Sequence, residues 1–285
     1  PATQRLALKP EAWQHLDALA FHGYAFRFPP EIVPFGGQQL NERDGVVTAA
    51  ANHSYESHVD YYRKAMKRAG RPDIELWKTE GGFPTYQSKK SKHFLGVTEA
   101  AQAAYIVRRG ILTASFGVDR FFLHVLWDKG TRPHNAEHNF GLVRHDYTPK
   151  PSYYAFQQLC RLMPGNTQAA REVDVALDRY EKSDFFMAVK WDEEVIHYLQ
   201  DPQIHTFRQP DGDVVVFVWK PGRMYCDYQE ELADLSIGMP GMNIKMVGRV
   251  SSGDLLHPTV KRTPETLILQ ELPDGADPVF VLLQE

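Results

Sequence analysis

Residues 73–86 read DIELWKTEGGFPTY. Ile74 to Thr79 have the apolar and mixed texture of a short strand, and the run closes on Lys78-Thr79-Glu80 followed by two glycines. A carboxylate therefore stands at the tip of a strand that otherwise reads as buried. Such a glutamate has two readings: a solvated strand end, or a reactive group presented to a substrate. In parallel α/β folds the C-terminal ends of strands meet the substrate, so the neighbouring elements decide between them.

The stretch before it supplies a second strand. LDALAFHGYAF (16–26) is nearly continuously apolar, as expected for a strand buried on both faces, and it ends in His22-Gly23-Tyr24. A Pro/Gly-rich loop follows, through Pro29-Pro30 and Gly36-Gly37 to about Gly45. SYESHVDYYRKAMKRAG (54–70) then predicts an amphipathic helix, with Ser54 as N-cap and Gly70 before Arg71-Pro72 as the stop. Past Glu80 a long loop leads to a helix over 98–117, capped by Thr98 and ended by Gly117. DRFFLHVLWD (119–128) predicts a third strand, ending in Trp127-Asp128. After the loop KGTRPHNAEHNFG, Pro149 and Pro151 set up a final helix over about 152–163.

Strand, long loop and helix, three times over, predict a parallel α/β unit across 1–165. Beyond residue 164 the texture changes. Short apolar runs such as DVVVFVWK, NIKMVG, TLILQ and VFVLL are separated by the turn sequences PDGD, KPGR, GMPG, SSGD and PDGAD. They predict a small antiparallel β-sandwich over 166–285, with Pro-Asp-Gly at 210–212 and 273–275 as hairpin or turn punctuation.

Composition narrows the function classes. The 285 residues carry a net charge of −4, and their Lys and Arg are scattered, which argues against a nucleic-acid partner. No run approaches the roughly 18 apolar residues of a membrane helix, so a soluble protein is expected, with secretion or a periplasmic location left open. The two cysteines, Cys160 and Cys226, form no metal or disulfide framework. The start at Pro1 suggests a processed or trimmed chain.

The strand ends hold His22 and Tyr24, then Glu80, then Trp127 and Asp128, all chemically capable side chains. FHGY, LWKTEGG, and FFLHVLWD followed by GLVRHDYTPKPSYYAFQQL resemble the last three βα units of a clan A glycoside hydrolase, of the family 39 or family 5 β-glycosidase kind. The resemblance implies the C-terminal part of a (β/α)8 TIM barrel, units six to eight, followed by a β-sandwich. It places the catalytic nucleophile on Glu80. It gives His22 and Tyr24 to orienting that nucleophile or the sugar, Trp127 to the floor of the sugar subsite, and Asp128 beside it to substrate binding. No cofactor or metal is implied, and the substrate would be an oligo- or polysaccharide or a glycoside.

A retaining glycosidase needs two carboxyl groups, one to attack the anomeric carbon and one to protonate the leaving oxygen. The acid/base glutamate that the clan carries after an Asn on strand four has no counterpart in place here. Asn41-Glu42 falls within a loop. The expectation is therefore part of a retaining β-glycoside hydrolase whose acid/base comes from an N-terminal half or a companion chain bearing strands one to five, unless the chain self-associates. The alternative is a non-catalytic carbohydrate-binding or assembly module on the same scaffold. His134-Asn-Ala-Glu137-His138 also fits the zinc-protease pattern H-x-x-E-H, but that chemistry needs both histidines on one helical face. Pro133 before the motif and Gly141 soon after it favour a polar loop over the sugar site.

Overall fold

A computed structural model describes residues 10–25, 28–33, 54–86, 96–189, 194–224, 230–239 and 241–284. Asn41-Glu42 and Cys226 lie outside them. The protein is a mixed α/β chain with several sheets, and it divides into two compact units, 1–98 with 108–148, and 99–107 with 149–285.

The first unit opens with a short helix α1 (Pro10–Trp13) and is organised by three parallel strands, β1 (Ala18–His22), β2 (Glu75–Glu80) and β3 (Arg120–Phe121), in that spatial order. Helix α2 (Tyr55–Arg68) connects β1 to β2, and α3 (Glu99–Ser115) connects β2 to β3. The start of α2 is fixed by Ser54, whose Oγ accepts a hydrogen bond from the Ser57 amide at 3.0 Å. Glu56 in its first turn and Lys67 and Arg68 in its last complement the helix dipole. The helix buries Tyr55, Val59, Tyr62 and Met66, the i, i+4, i+7, i+11 stripe of one face. Phe21 of β1 stacks on Tyr62, with ring centroids 4.9 Å apart.

Two strand expectations are corrected here. β1 is buried on one face only: Leu19 and Phe21 are covered, whereas Ala18 and Ala20 are half-exposed and His22 is open. An unbroken apolar run cannot distinguish a strand covered on both sides from one whose second face carries small residues. The run 119–128 is not a ten-residue strand either. Pairing stops at Phe121, although the Phe122 and His124 amides still donate to the Lys78 and Gly81 carbonyls at 2.9 and 2.8 Å. The chain then bends away, leaving Phe122 and Leu126 exposed, and Trp127 forms a lone bridge to Val143.

In the second unit α4 (Pro151–Leu162) starts on Pro151, where the missing amide costs nothing, and buries Ala155, Leu159 and Leu162. A four-stranded antiparallel sheet joins β12 (Thr259–Arg262), β13 (Leu267–Asp274), β10 (Glu231–Gly238) and β5 (Asp174–Asp178). A five-stranded one joins β11 (Asn243–Arg249), β14 (Val279–Gln284), β9 (Val214–Trp219), β8 (Gln203–Arg208) and β4 (Gln168–Ala169). Alternate residues of both sheets share one core: Val214, Val216 and Val218 of β9 and Val281 of β14 cluster with Leu235 and Ile237 of β10 and Leu269 of β13. Each such side chain contributes about 1.5–3 kcal/mol by burial. The arrangement is consistent with the expected β-sandwich.

Pro210-Asp211-Gly212 does turn the chain between β8 and β9, with Gly212 at φ 97°. The second Pro-Asp-Gly does not act as a turn throughout. Pro273 and Asp274 remain paired in β13, opposite Leu232 and Glu231, and the bend begins only at Gly275. A separate hairpin pairs β6 (Ser183–Val189) with β7 (Glu194–Gln200), outside the apolar runs that the sequence marks as strands.

Candidate active site

Strand register brings the first two site elements together. β1 and β2 run in parallel one-to-one from Ala18↔Glu75 to Phe21↔Lys78, and a shift at the end sets His22 opposite Glu80. The imidazole Nδ1 of His22 lies 3.4 Å from Glu80 Oε2. Tyr24, two residues on, donates its hydroxyl to the same oxygen at 3.0 Å. Three of the five residues singled out by sequence, His22, Tyr24 and Glu80, thus meet on one carboxylate oxygen.

The electrostatics of Tyr24 follow from that placement. Partial burial, then the charge of Glu80 and the hydrogen bond to it, hold the phenol far above its ordinary ionisation range. Tyr24 is accordingly a donor, not a base. Behind it, His58 of α2 donates Nε2–H to the His22 carbonyl at 3.2 Å; a carbonyl can only accept, so the proton sits on Nε2. Burial lowers the His58 pKa to about 4, keeping it neutral at physiological pH.

The two glycines after Glu80 are required for room. Neither has a positive φ. A Cβ on Gly82 would run into the His124 carbonyl oxygen, a backbone atom that cannot swing aside. A Cβ on Gly81 would sit 2.6 Å from both Cε and Nζ of Lys78. Close approach of the segment beyond β3 and of the Lys78 side chain therefore explains Gly81-Gly82 better than a need to turn the chain.

Glu80 and Tyr24 open into a cavity of about 1010 Å³. Its other walls come from Tyr86, from His124 and Phe140, and from the loop 132–137. Phe140 meets the Tyr24 ring edge-on at 6.0 Å. The H-x-x-E-H segment belongs to this wall. Its residues 136–138 form a single 3-10 turn, with the Asn135 side chain capping the Glu137 amide at 3.0 Å, so the histidines share no helical face. His134 lines the cavity, whereas His138 Nδ1 accepts the Arg132 amide at 3.2 Å. Glu137 pairs with His124 Nε2 at 3.3 Å and Lys129 Nζ at 3.6 Å. Among the described residues no group of three His, Cys, Asp or Glu could hold a metal ion.

Sequence reading placed Glu137 in a polar loop over the sugar site, but did not pick out Arg132 in that loop or His124 in the apolar run before it. Conversely, Trp127 and Asp128 do not line this cavity. Asp128 is buried and accepts the Gly141 amide through Oδ1 at 2.7 Å, which holds the base of the 129–141 loop. Trp127 stacks on His145 (5.2 Å, 14°) and on Tyr147 (5.6 Å, 3°), forming a partly exposed aromatic stack.

No protein-family model and no curated protein matches the chain. Among solved structures it is similar to a family 39 glycoside hydrolase from the gut symbiont Bacteroides cellulosilyticus WH2, with 17% identity and a TM-score of 0.62 over 96% of this chain and 46% of that one. A glucosidase from Croceicoccus marinus (12% identity, TM-score 0.51) and a monomeric β-xylosidase from Caulobacter crescentus CB15 (15%, 0.50) are also similar. They match 97% and 98% of this chain over 56% and 59% of their own lengths. At these identities the likeness is one of fold. The chain spans about half the length of the structures it matches.

Proposed function

We propose that this chain is the C-terminal part of a retaining β-glycoside hydrolase in which Glu80 is the nucleophile, its barrel being completed by five further strands that also supply the acid/base carboxylate. The observation that carries this reading is the convergence of Tyr24 and His22 on a single oxygen of Glu80 at the mouth of a large cavity. An attacking carboxylate must be ionised, open to the substrate and fixed in direction. Tyr24 donates to Oε2 and limits its rotation, His22 approaches the same atom, and Oε1 is left to point toward the anomeric carbon.

Attack would form a covalent glycosyl-enzyme as the second carboxyl group, about 5–5.5 Å away, protonates the leaving oxygen; water would then release the sugar. The half-open polar wall, with Glu137, His134 and Arg132, suits recognition of sugar hydroxyl groups. Glu80→Gln in the complete protein should abolish turnover of aryl β-glycosides. Retention of full activity would remove Glu80 from the role.

One feature favours a second reading, a carbohydrate-binding module that does not hydrolyse. The Trp127 and Tyr147 rings stack in parallel, and Tyr147 is 74% exposed, which offers an aromatic face to a sugar. Glycan binding that survives in the complete protein without any hydrolysis would select this alternative.

A further inference from the structure

The most unusual group near the site is one that the proposed chemistry does not use. Lys78, two residues before Glu80, is fully buried. Among the described residues its ammonium forms no ion pair; it donates instead to two backbone carbonyls, that of Glu80 at 2.8 Å and that of Gly23 at 3.3 Å. The rings of Phe21, Tyr24 and Tyr55 surround the nitrogen at 5.8, 6.0 and 5.9 Å. Gly81 covers it so closely that a single methyl would collide with it.

Folding alone gives no reason for a charged group here. A methionine of similar length would fill the same space without the desolvation that an ammonium suffers. That cost is visible: burial pushes the Lys78 pKa well below the usual lysine range, and the nearby Arg109 guanidinium adds to the effect, with only Glu80 opposing it. What the ammonium does, and a methyl thioether could not, is join two carbonyls. One belongs to the residue that carries the candidate nucleophile, and the other precedes the tyrosine that orients it.

We propose that Lys78 is a positioning residue: its ammonium fastens the chain beyond β1 to the tip of β2 and thereby fixes the Tyr24 hydroxyl against the Glu80 carboxylate. The proposal rests on Glu80 acting as the nucleophile. Lys78 reaches neither the cavity nor the substrate, so it acts only through Glu80 and Tyr24.

The test uses the complete protein with Lys78→Met, Gly81→Ala and Glu80→Gln, assayed on 4-nitrophenyl β-xyloside and β-glucoside. Gly81→Ala displaces the ammonium without deleting it, since the group in its way is the flexible end of a side chain. Lys78→Met should lower kcat by about 10–100-fold with KM changed less than about threefold, because misplacing a reacting group costs turnover more than binding. Gly81→Ala should lower kcat in the same direction.

A second readout needs no activity: nitration of Tyr24 by tetranitromethane, followed by peptide mass. It should be several-fold faster in both variants, because the Tyr24–Glu80 bond is loosened. A lowered melting temperature with kcat and Tyr24 nitration unchanged would assign Lys78 a merely structural role and overturn the proposal. If Lys78→Met does not fold, unchanged kcat and nitration in Gly81→Ala overturn it equally. If the parent and Glu80→Gln are alike in turning over neither glycoside, the nucleophile reading fails, and the nitration rates still decide whether Lys78 holds the pair.

Discussion

Removing the Tyr24 hydroxyl is the smallest change that probes the candidate site. Tyr24→Phe keeps the ring and its edge-on contact with Phe140, and deletes the 3.0 Å hydrogen bond to Glu80 Oε2. A hydrogen bond to a charged group is worth about 1.5–3 kcal/mol when desolvated. The Glu80 side chain is 43% exposed, so water replaces part of what is lost, and the lower end of that range applies. About 1–1.5 kcal/mol corresponds to a fall of roughly 5–13-fold in kcat/KM for an aryl β-glycoside. Thermal unfolding should change little, because the donor's partner stays solvated. A kcat/KM within twofold of the parent would show that Tyr24 does not act through Glu80.

Two further expectations concern stability. Glu31 and Arg108 form a buried two-bond pair, Nε to Oε1 at 2.9 Å and Nη2 to Oε2, so Glu31→Gln should cost about 3–5 kcal/mol by stranding a buried guanidinium. A loss below about 1 kcal/mol in chemical denaturation would contradict that placement. In the second unit both oxygens of Asp274 are buried without a hydrogen-bond partner among the described residues, and burial raises its pKa from 3.8 to about 6, against the pull of Lys220. Since the folded state favours the protonated acid, the penalty is absent below pH 3.8, grows through the window up to about 6 and is full above it, amounting to about 3 kcal/mol. The stability of Asp274→Asn relative to the parent should therefore rise between pH 4 and 6 and then level off; a difference that does not vary with pH would refute the assignment.

How much of this was legible in the sequence can be argued residue by residue. Helix α2 was readable because Ser54, the apolar stripe and Gly70 are local signals that agree with one another. Glu80 with His22 was readable because both follow apolar strand cores and the strands pair in parallel, a register the repeated strand–loop–helix pattern already implies. Trp127 and Asp128 were expected in the cavity because the run before them looks like a strand. Apolar content alone does not reveal that pairing stops at Phe121, and where it stops decides which way the next side chains face. Glu137 and His124 meet across a loop whose path depends on the Asn135 cap and on Asp128 holding the Gly141 amide, contacts that no periodicity encodes. Lys78 was hidden for the opposite reason. A lysine near a strand end reads as solvated, and only packing reveals that it points into the wall of aromatic rings.

The central claim, that Glu80 is a nucleophile, is tested most directly by trapping the glycosyl-enzyme. The complete protein would be incubated with 2,4-dinitrophenyl 2-deoxy-2-fluoro-β-glycosides, which slow release of the sugar more than its attachment, and then digested for peptide mass analysis. One fluoro-sugar per active site is expected on the peptide carrying Lys78-Thr79-Glu80, with fragmentation placing it on Glu80 and with no label in Glu80→Gln. An active protein labelled on a different carboxylate would contradict it.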